Sequence, residues 1–212
     1  MSGASPVIHV VDDDASFRTA ITRLLKAAGY EVMTYGSAGD FLLEPSFDAA
    51  GCVLLDVRMP GPSGLELQEA MVKRGDSRPV IFLTGHGDIP QSVRAMRGGA
   101  VDFLTKPVQR KDLLAAVAEA LARQSAQAGT SARRREVAGR FAMLTPRERE
   151  VLALVVAGRM NKQIAAALGT SERTIKAHRA RIMEKMQVDS VAELVHAESL
   201  LRARSSSSRP AG

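Results

Sequence analysis

The segment Val53-Leu54-Leu55-Asp56-Val57-Arg58-Met59-Pro60 decides how this chain folds. Its apolar run lies between Gly51 and Pro60, which is typical of a fully buried central strand. The strand delivers one carboxylate, Asp56, at its C-terminal end. In open α/β sheets ligands bind beyond the carboxyl ends of the strands, so Asp56 lies where chemistry is expected. Taken alone, Asp56 could equally be a solvated aspartate that begins a turn.

Apolar runs of this kind alternate with helical patterns five times in the first half of the chain. The predicted strands are Val7–Val11, Glu31–Thr34, Val53–Leu55, Val80–Leu83 and Val101–Leu104. Repeated units of this spacing predict an α/β domain with a five-stranded parallel sheet and helices on both faces. Because no phosphate-cradling glycine motif follows any strand, a nucleotide site is not expected.

Polar side chains follow four of these strands and should meet at one edge of the sheet. They are Asp12, Asp13 and Asp14 after the first strand, Asp56 after the third, Thr84 after the fourth and Lys106 after the fifth. Clustered carboxylates suit Mg²⁺, whereas a hydroxyl and an ammonium suit phosphoryl oxygens. Asp56 would then be a nucleophile that forms an aspartyl phosphate. One of the aspartates, Asp14, could instead cap the following helix.

Length and composition set the class of protein. The chain has 212 residues, an apolar fraction of 45% and a single cysteine, Cys52, which excludes an internal disulfide framework. Its apolar runs are shorter than the roughly 20 residues of a membrane span, and its first residues lack the regions of a signal peptide. We therefore expect a soluble, cytoplasmic protein with no membrane partner.

Charge divides the chain into two halves. Residues 1–122 carry 12 Lys and Arg against 15 Asp and Glu, whereas residues 123–212 carry 17 against 8. A basic second half suggests a domain that faces a polyanion. The change coincides with a small, polar run at 124–132, which cannot build a core. We predict a first domain over 1–122, a linker over 123–140 that could be partly helical, a second domain over 141–203 and a disordered tail over 204–212.

Helix signals are strong in the second half. Thr145 is a predicted N-cap, Pro146 suits the first helical position, and Glu148 completes a capping box. Asn161 is predicted to cap a second helix, and a third begins at Thr170-Ser171 and runs to about Met186. Two helices of this size around a tight glycine turn are typical of a helix-turn-helix.

The third of these helices has a cationic face with small residues between the charges. A 100° step per residue places Ile175, Ile182 and Met186 on the buried side. On the other side, alanines let the backbone approach a groove while cations reach phosphates or guanine edges. The predicted DNA contacts are Asn161, Lys162, Thr170, Ser171, Arg173, Thr174, Lys176, Ala177, Arg179, Ala180, Arg181 and Lys185. The alternative is a solvated basic face, and the triplet Arg133-Arg134-Arg135 leaves the same choice between solvent and phosphate.

Residues 1–122 resemble a response-regulator receiver domain. The matching motifs are Asp12-Asp13, Leu55–Pro60, Thr84–Asp88 and Lys106-Pro107. The resemblance implies a flavodoxin-like fold in which a histidine kinase phosphorylates Asp56, with slow autodephosphorylation as the only enzymatic activity. It implies Mg²⁺ held by Asp13, Asp56 and the backbone carbonyl of Arg58, with Asp12 helping through water. It also implies that Thr84 and Phe103 form a switch pair and that Lys106 holds a phosphoryl oxygen.

Residues 141–200 resemble the LuxR-type four-helix DNA-binding domain, through the segments 144–152, 161–165 and 171–179. Together the halves resemble the NarL/FixJ family of two-component response regulators, and the segment Gly85–Pro90 leans toward its FixJ branch. The resemblance implies control of transcription through sequence-specific binding of double-stranded promoter DNA by the 171–186 recognition helix. It also implies RNA polymerase as a partner and a homodimer on phosphorylation.

Two other readings compete. The first half could be a metal-dependent phosphatase-like enzyme, but such enzymes usually place a second acid two residues after the nucleophile, where this chain has Arg58. The chain could also bind DNA or RNA independently of phosphorylation. Two histidines are excluded from catalysis: His9 is predicted to be packed within its strand, and His86 has no proton to remove.

Overall fold

The computed structural model describes residues 5–43, 50–85 and 89–202. Its strands are β1 (Val7–Val11), β2 (Glu31–Tyr35), β3 (Gly51–Asp56), β4 (Val80–Thr84) and β5 (Asp102–Thr105). Its helices are α1 (Ala15–Ala27), α2 (Ala38–Leu42), α3 (Gly64–Lys73), α4 (Ile89–Arg97), α5 (Arg110–Ala142), α6 (Pro146–Val156), α7 (Asn161–Ala167), α8 (Glu172–Met186) and α9 (Val191–Arg202). The predictions for His86 and for the tail at 204–212 lie outside the described residues.

The five strands form one parallel sheet in the order β2-β1-β3-β4-β5. β3 pairs with β1 on one side and with β4 on the other, so all six of its residues are buried. Side chains alternate between the two faces: Val53 and Leu55 join one apolar cluster, and Cys52 and Leu54 join the other. The predicted flavodoxin-like architecture is confirmed, with β1, β3 and β4 ending at the same edge.

The acidic run after β1 divides between two tasks. Asp14 is the N-cap of α1, since its Oδ1 accepts hydrogen bonds from the backbone N–H groups of Ser16 (2.8 Å) and Phe17 (3.1 Å). This satisfies two of the amides that a helix start leaves unpaired. The predicted cap is confirmed, and Asp12 and Asp13 remain for other roles.

A buried polar network surrounds His9, which is 2% exposed. Its Nδ1 lies 3.0 Å from the Tyr35 hydroxyl, and its Nε2 lies 3.0 Å from Nη1 of Arg78. Arg78 in turn forms a buried salt bridge of 2.6 Å with Asp76. Burial, and next the charge of Arg78, lower the pKa of His9 to about 4. The predicted packing role of His9 is confirmed.

Helix α5 covers the whole predicted linker. The chain divides into two compact units between Ala128 and Gly129, and α5 supplies apolar side chains to both. Leu113 and Val117 pack in the first unit, whereas Val137 packs in the second. The small, polar run at 124–132 does not build a core, yet its three alanine and two glutamine residues are good helix formers.

The second unit is a cluster of helices around one apolar core. The predicted capping box at the start of α6 is confirmed: the Thr145 hydroxyl accepts from the N–H of Glu148, and the Glu148 carboxylate accepts from the N–H of Thr145. Ile175, Ile182 and Met186 of α8 are buried, as the helical step predicted.

The predicted N-cap at Asn161 is wrong. The N-cap of α7 is Met160, whose N–H donates to the side chain of Gln163. Asn161 is the first helical residue, and its Oδ1 accepts a 2.8 Å hydrogen bond from Nη1 of Arg179. Arg179, 18 residues away in sequence, therefore binds the Asn161 side chain that local capping rules would have assigned to the start of α7.

Candidate functional site

Three carboxylates meet where β1 and β3 end. Carboxylate oxygens of Asp12, Asp13 and Asp56 all lie within 4.8 Å of one another. Asp12 is fully buried, Asp13 is exposed, and the Asp56 side chain is 10% exposed. Because like charges at this separation repel, a cation beside the cluster would stabilise it.

Lys106 supplies positive charge to this cluster. Its Nζ donates to Oδ2 of Asp12 at 2.6 Å and to Oδ2 of Asp56 at 3.0 Å. Lys106 follows β5, and its backbone N–H donates to the carbonyl of Thr84 at the end of β4. Sheet topology thus brings a lysine to two carboxylates that are 94 and 50 residues distant in sequence.

The pKa values in the cluster follow from burial and pairing. Burial raises the pKa of Asp12, although the hydrogen bond from Lys106 acts in the opposite direction. For Lys106, burial alone would lower the pKa, but the hydrogen bonds to Asp12 and Asp56 outweigh it and raise the pKa. The ammonium group therefore stays protonated beside the two carboxylates.

The loop after Asp56 is held close to its carboxylate. The N–H of Arg58 lies 3.3 Å from Oδ1 of Asp56, and the N–H of Gly64 donates to the carbonyl of Val57. Gly64, the first residue of α3, allows this approach, because a Cβ there would lie 2.1 Å from the carbonyl oxygen of Asp56. A glycine is thus required for α3 to begin beside the site.

Thr84 and Phe103 lie on the neighbouring strands. Thr84 is the last residue of β4 and is buried, and it pairs in register with Thr105 of β5. Phe103 is half-buried, packs against the apolar cluster of β3, and has its ring centroid 6.3 Å from that of Phe82. The structure therefore brings Thr84 to the edge where Asp12 and Asp56 lie, while Phe103 lies two residues before the end of β5.

Two side chains of α1 were missed as parts of the site. The Phe17 ring lies beneath the Lys106 ammonium, 4.2 Å from Nζ to the ring centroid, a cation–π contact. Nη1 of Arg18 donates to the backbone carbonyl of Asp12 at 2.6 Å. Apolar periodicity assigned Phe17 to the core, where it also packs. Its distance to Lys106 follows only from the sheet order.

The second unit presents the predicted cationic face on α8. Its exposed members are Arg173, Thr174, Lys176, Ala177, Ala180 and Arg181. Ser171 is the N-cap, since its Oγ accepts from the N–H of Thr174. In the segments before α8, Lys162 is exposed and Thr170 is half-buried. The charges of Arg173, Lys176 and Arg181 therefore point to solvent, while the apolar stripe of α8 faces the core.

Three predicted DNA contacts, Asn161, Arg179 and Lys185, have side-chain partners on other helices of their own unit. Half-buried Arg179 donates to Asn161, as described above. Lys185 forms a 2.7 Å salt bridge with the buried carboxylate of Glu148. The hydrogen bond that Lys185 donates to Glu148, together with the one from the Thr145 N–H, lowers the pKa of Glu148 to about 2. Roles for Arg179, Asn161 and Lys185 on DNA stay predictions.

Two families of known proteins match the chain. Residues 8–118 match the response regulator receiver domain, which is more than half of the chain. The chain belongs to the response-regulator family. Residues 142–197 of this response regulator match the bacterial regulatory proteins of the luxR family.

Similar proteins span nearly the whole response regulator. The tetrathionate response regulatory protein TtrR of Salmonella typhimurium is 46% identical over 188 residues, which cover 89% of this chain and 89% of that protein. The transcriptional regulatory protein FixJ of Bradyrhizobium diazoefficiens is 43% identical over 188 residues, 89% of this chain and 92% of that protein. The structure of response regulator StyR is 44% identical, with a TM-score of 0.82 over 92% of this chain and 99% of that chain.

These matches confirm the predicted family and its two-domain composition. The chain is a transcriptional response regulator of the NarL/FixJ family, in which a receiver domain precedes a LuxR-type DNA-binding domain. Because the first half matches the receiver family, the phosphatase-like alternative is set aside. A receiver domain implies a histidine kinase as partner, and a LuxR-type domain implies DNA binding. Among the described residues, no helix is long and apolar enough to cross a membrane.

Proposed function

We propose that a histidine kinase phosphorylates this response regulator on Asp56 and that phosphorylation controls the binding of α8 to promoter DNA. The observation that carries the proposal is the cluster of three carboxylates within 4.8 Å, bridged by Lys106. Asp56 combines a nearly buried side chain with a place at the strand edge, where α/β sheets bind ligands.

The transfer is a nucleophilic displacement at phosphorus. A carboxylate oxygen of Asp56 attacks the phosphorus of the kinase phosphohistidine, and an O–P bond forms as the P–N bond breaks. The imidazole nitrogen keeps the electron pair and takes up a proton. Lys106 Nζ, already 3.0 Å from an Asp56 oxygen, reaches the phosphoryl oxygens attached there. Water later hydrolyses the acyl phosphate, which is the slow autodephosphorylation predicted from sequence.

The same carboxylates fit Mg²⁺, which prefers hard oxygen ligands. Asp12, Asp13 and Asp56 offer their carboxylates, and the backbone carbonyl of Arg58 is the remaining protein ligand that we propose. Exposed Asp13 leaves the cluster open to an ion from solvent. The ion would supply positive charge next to the phosphoryl oxygens.

The switch that we propose consists of Thr84 and Phe103. The hydroxyl of Thr84, at the same sheet edge as Asp56, would bind a phosphoryl oxygen, and the Phe103 ring would rotate inward behind it. Half-burial of Phe103 supports this role, because the ring already contacts the core yet is not locked inside it. The altered β4–β5 surface would promote homodimers in the cytoplasm.

Each protomer would read one half-site of promoter DNA through α8 in the major groove. The exposed cationic side chains of α8 support this role, and their position on a rigid helix suits base and phosphate contacts. Three residues that precede α8 would contact the sugar-phosphate backbone of the DNA: Lys162, Thr170 and Ser171. RNA polymerase would be the partner of the DNA-bound dimer.

Beryllofluoride, an analogue of the phosphoryl group, tests the proposal with Mg²⁺ present. We expect it to raise both the mass of the wild-type chain in gel filtration and its affinity for promoter DNA. Asp56→Asn is the matched control, because it keeps the shape of the side chain and removes the nucleophile. That variant should fold normally by circular dichroism and show neither response.

Two results would contradict the proposal. A response of Asp56→Asn equal to that of the wild type would place the acceptor elsewhere. If the wild-type chain has the same mass and the same affinity for DNA with and without beryllofluoride, the result would instead favour a protein that binds DNA independently of phosphorylation.

A further inference from the structure

The last turns of α5 belong to the second unit rather than to a solvated linker. The chain divides at Ala128 and Gly129, so residues 129–142 cluster with the DNA-binding helices. Val137 is only 5% exposed and lies in the same core as residues of α6, α8 and α9. Phe141 packs against that core, and the guanidinium of Arg149 lies 5.3 Å from its ring centroid.

The C-terminal end of α8 is held by this segment. α8 ends at Met186, and Gln187 follows in the left-handed conformation, with φ of 52°. The carbonyls of a last helical turn lack partners within the helix and carry the negative end of its dipole. Nη1 of Arg140 donates to the carbonyl of Met186 at 3.2 Å, and Nη2 of Arg140 pairs with Glu136 at 2.6 Å. A fixed cation therefore satisfies a carbonyl at the end of the recognition helix.

A second arginine, Arg134, binds a carbonyl at the C-terminal end of α9. Nε of Arg134 donates to the carbonyl of Leu200 at 2.9 Å, in the last turn of α9. Arg134, Val137 and Phe141 are spaced three and four residues apart, so they share one face of α5. Arg135, between them in sequence, is exposed.

We propose that Arg140 and Arg134 are positioning residues for DNA binding, which hold the C-terminal ends of α8 and α9 against the last turns of α5. The inference rests on the proposed function, in which α8 reads DNA. The contacts of α8 lie along one rigid helix, so a shift at its anchored end displaces all of them together. The functional DNA-binding unit then begins near Gly129, and a domain that starts at 141 would lack both anchors.

Three alanine variants of the full chain test this inference: Arg140→Ala, Arg134→Ala and the control Arg135→Ala. Each removes one positive charge from the same helix. We would measure DNA affinity over a series of salt concentrations, and hydrogen exchange of the backbone amides in α8 and α9 without DNA.

We expect Arg140→Ala to weaken DNA binding about threefold to tenfold, the effect of one partly exposed hydrogen bond. The slope of log affinity against log salt should not change, because the proposed role of Arg140 is to bind the carbonyl of Met186 and not a phosphate. Exchange should become faster in the last turn of α8 for Arg140→Ala and in the last turn of α9 for Arg134→Ala. Arg135→Ala should leave exchange unchanged, and Arg140→Lys should recover part of the lost affinity.

Two results would overturn the inference. A fall of about 0.9 in the salt slope for Arg140→Ala, with unchanged exchange, would make Arg140 a direct phosphate contact. Unchanged affinity and unchanged exchange would remove any positioning role. Failure of the proposed function would show separately, as absent DNA binding by the wild type, and exchange alone would then decide whether the arginines anchor the two helices.

Discussion

Acidification should destabilise the receiver through His9, and the geometry of the network fixes the direction. Arg78 can only donate, so Nε2 of His9 must accept, and the ring proton lies on Nδ1 facing Tyr35. Protonation at Nε2 would place an N–H against the N–H of Arg78 and add a positive charge beside a buried guanidinium.

The magnitude follows from the difference between the folded and unfolded pKa values of His9. The ordinary pKa of 6.5 falls to about 4 in the fold. The unfolded chain therefore binds more protons between these values, and the free energy of unfolding falls as the pH decreases through this window. Relative to its value at neutral pH, the free energy of unfolding is lower by about 2 kcal/mol at pH 5 and by about 3 kcal/mol at pH 4. A domain of ordinary stability, about 5–15 kcal/mol, would show this clearly.

Tyrosine fluorescence offers a selective assay in the full chain. The sequence has two tyrosines, Tyr30 and Tyr35, and no tryptophan, and both tyrosines lie in the receiver. Urea unfolding at pH 7.5 and pH 5, with a chelator present to remove Mg²⁺, should show a midpoint lower by about 1 M at pH 5. Asp12, whose pKa is raised by burial, contributes with the opposite sign, because its folded form binds more protons as the pH falls.

His9→Gln isolates the histidine contribution. Glutamine can still accept from Arg78 through its amide oxygen, but it does not titrate. The variant should be less stable at pH 7.5, yet the difference between its values at pH 7.5 and pH 5 should be smaller by about 2 kcal/mol. Since Asp12 is present in both proteins, its contribution cancels. An equal fall of stability in wild type and variant would refute the reasoning.

Four further perturbations have defined outcomes. Gly64→Ala should destabilise the receiver by about 1–3 kcal/mol and weaken its beryllofluoride response, because the new Cβ meets the carbonyl of Asp56; tyrosine-detected unfolding measures the first effect, and an unchanged midpoint would contradict it. Gln187→Gly should stabilise the second unit by about 1 kcal/mol, since it relieves a left-handed residue; a lower melting temperature by circular dichroism would count against this. Lys185→Met should lower the free energy of unfolding of the second unit by about 1–3 kcal/mol at pH 7 and raise the pKa of Glu148, which carboxylate NMR would measure. In the wild type, the stabilisation that ionised Glu148 provides is present above pH 4.5 and is lost as the pH falls through about 2. Arg173→Ala should weaken DNA binding and lower the salt slope by about 0.9, and an unchanged slope would mean that Arg173 contacts no phosphate.

The receiver could be predicted from the sequence because its signals are local and its topology is restricted. Apolar runs mark the strands, and parallel strands place their carboxyl ends at one edge. Asp12, Asp56 and Lys106 therefore had to converge, although the distances between them could not be predicted. The Asp14 cap was predictable for the same reason, since both of its hydrogen bonds lie within three residues.

Tertiary partners explain what the sequence did not reveal. Asn161 has the composition of an N-cap, but Arg179 of another helix binds its side chain. Phe17 has the spacing of a core residue, and its contact with Lys106 joins residues far apart in sequence. The three residues of the run Arg133-Arg134-Arg135 are identical and differ only in the face of α5 that each occupies. Those faces could not be predicted, because they depend on α5 continuing through a segment whose composition resembles a linker.

The basic excess of the second half combines two uses of arginine. Besides Arg134 and Arg140, Arg147 donates to the carbonyl of Leu168 at the end of α7, and Arg149 donates to that of Ala142 at the end of α5. These guanidinium groups neutralise helix ends, where cations are favourable whether or not DNA is present. Net charge alone therefore overstates the phosphate contacts of this domain. The salt dependence of DNA binding should reflect the exposed cations of α8 and its neighbours, and should be shallower than the number of arginines suggests.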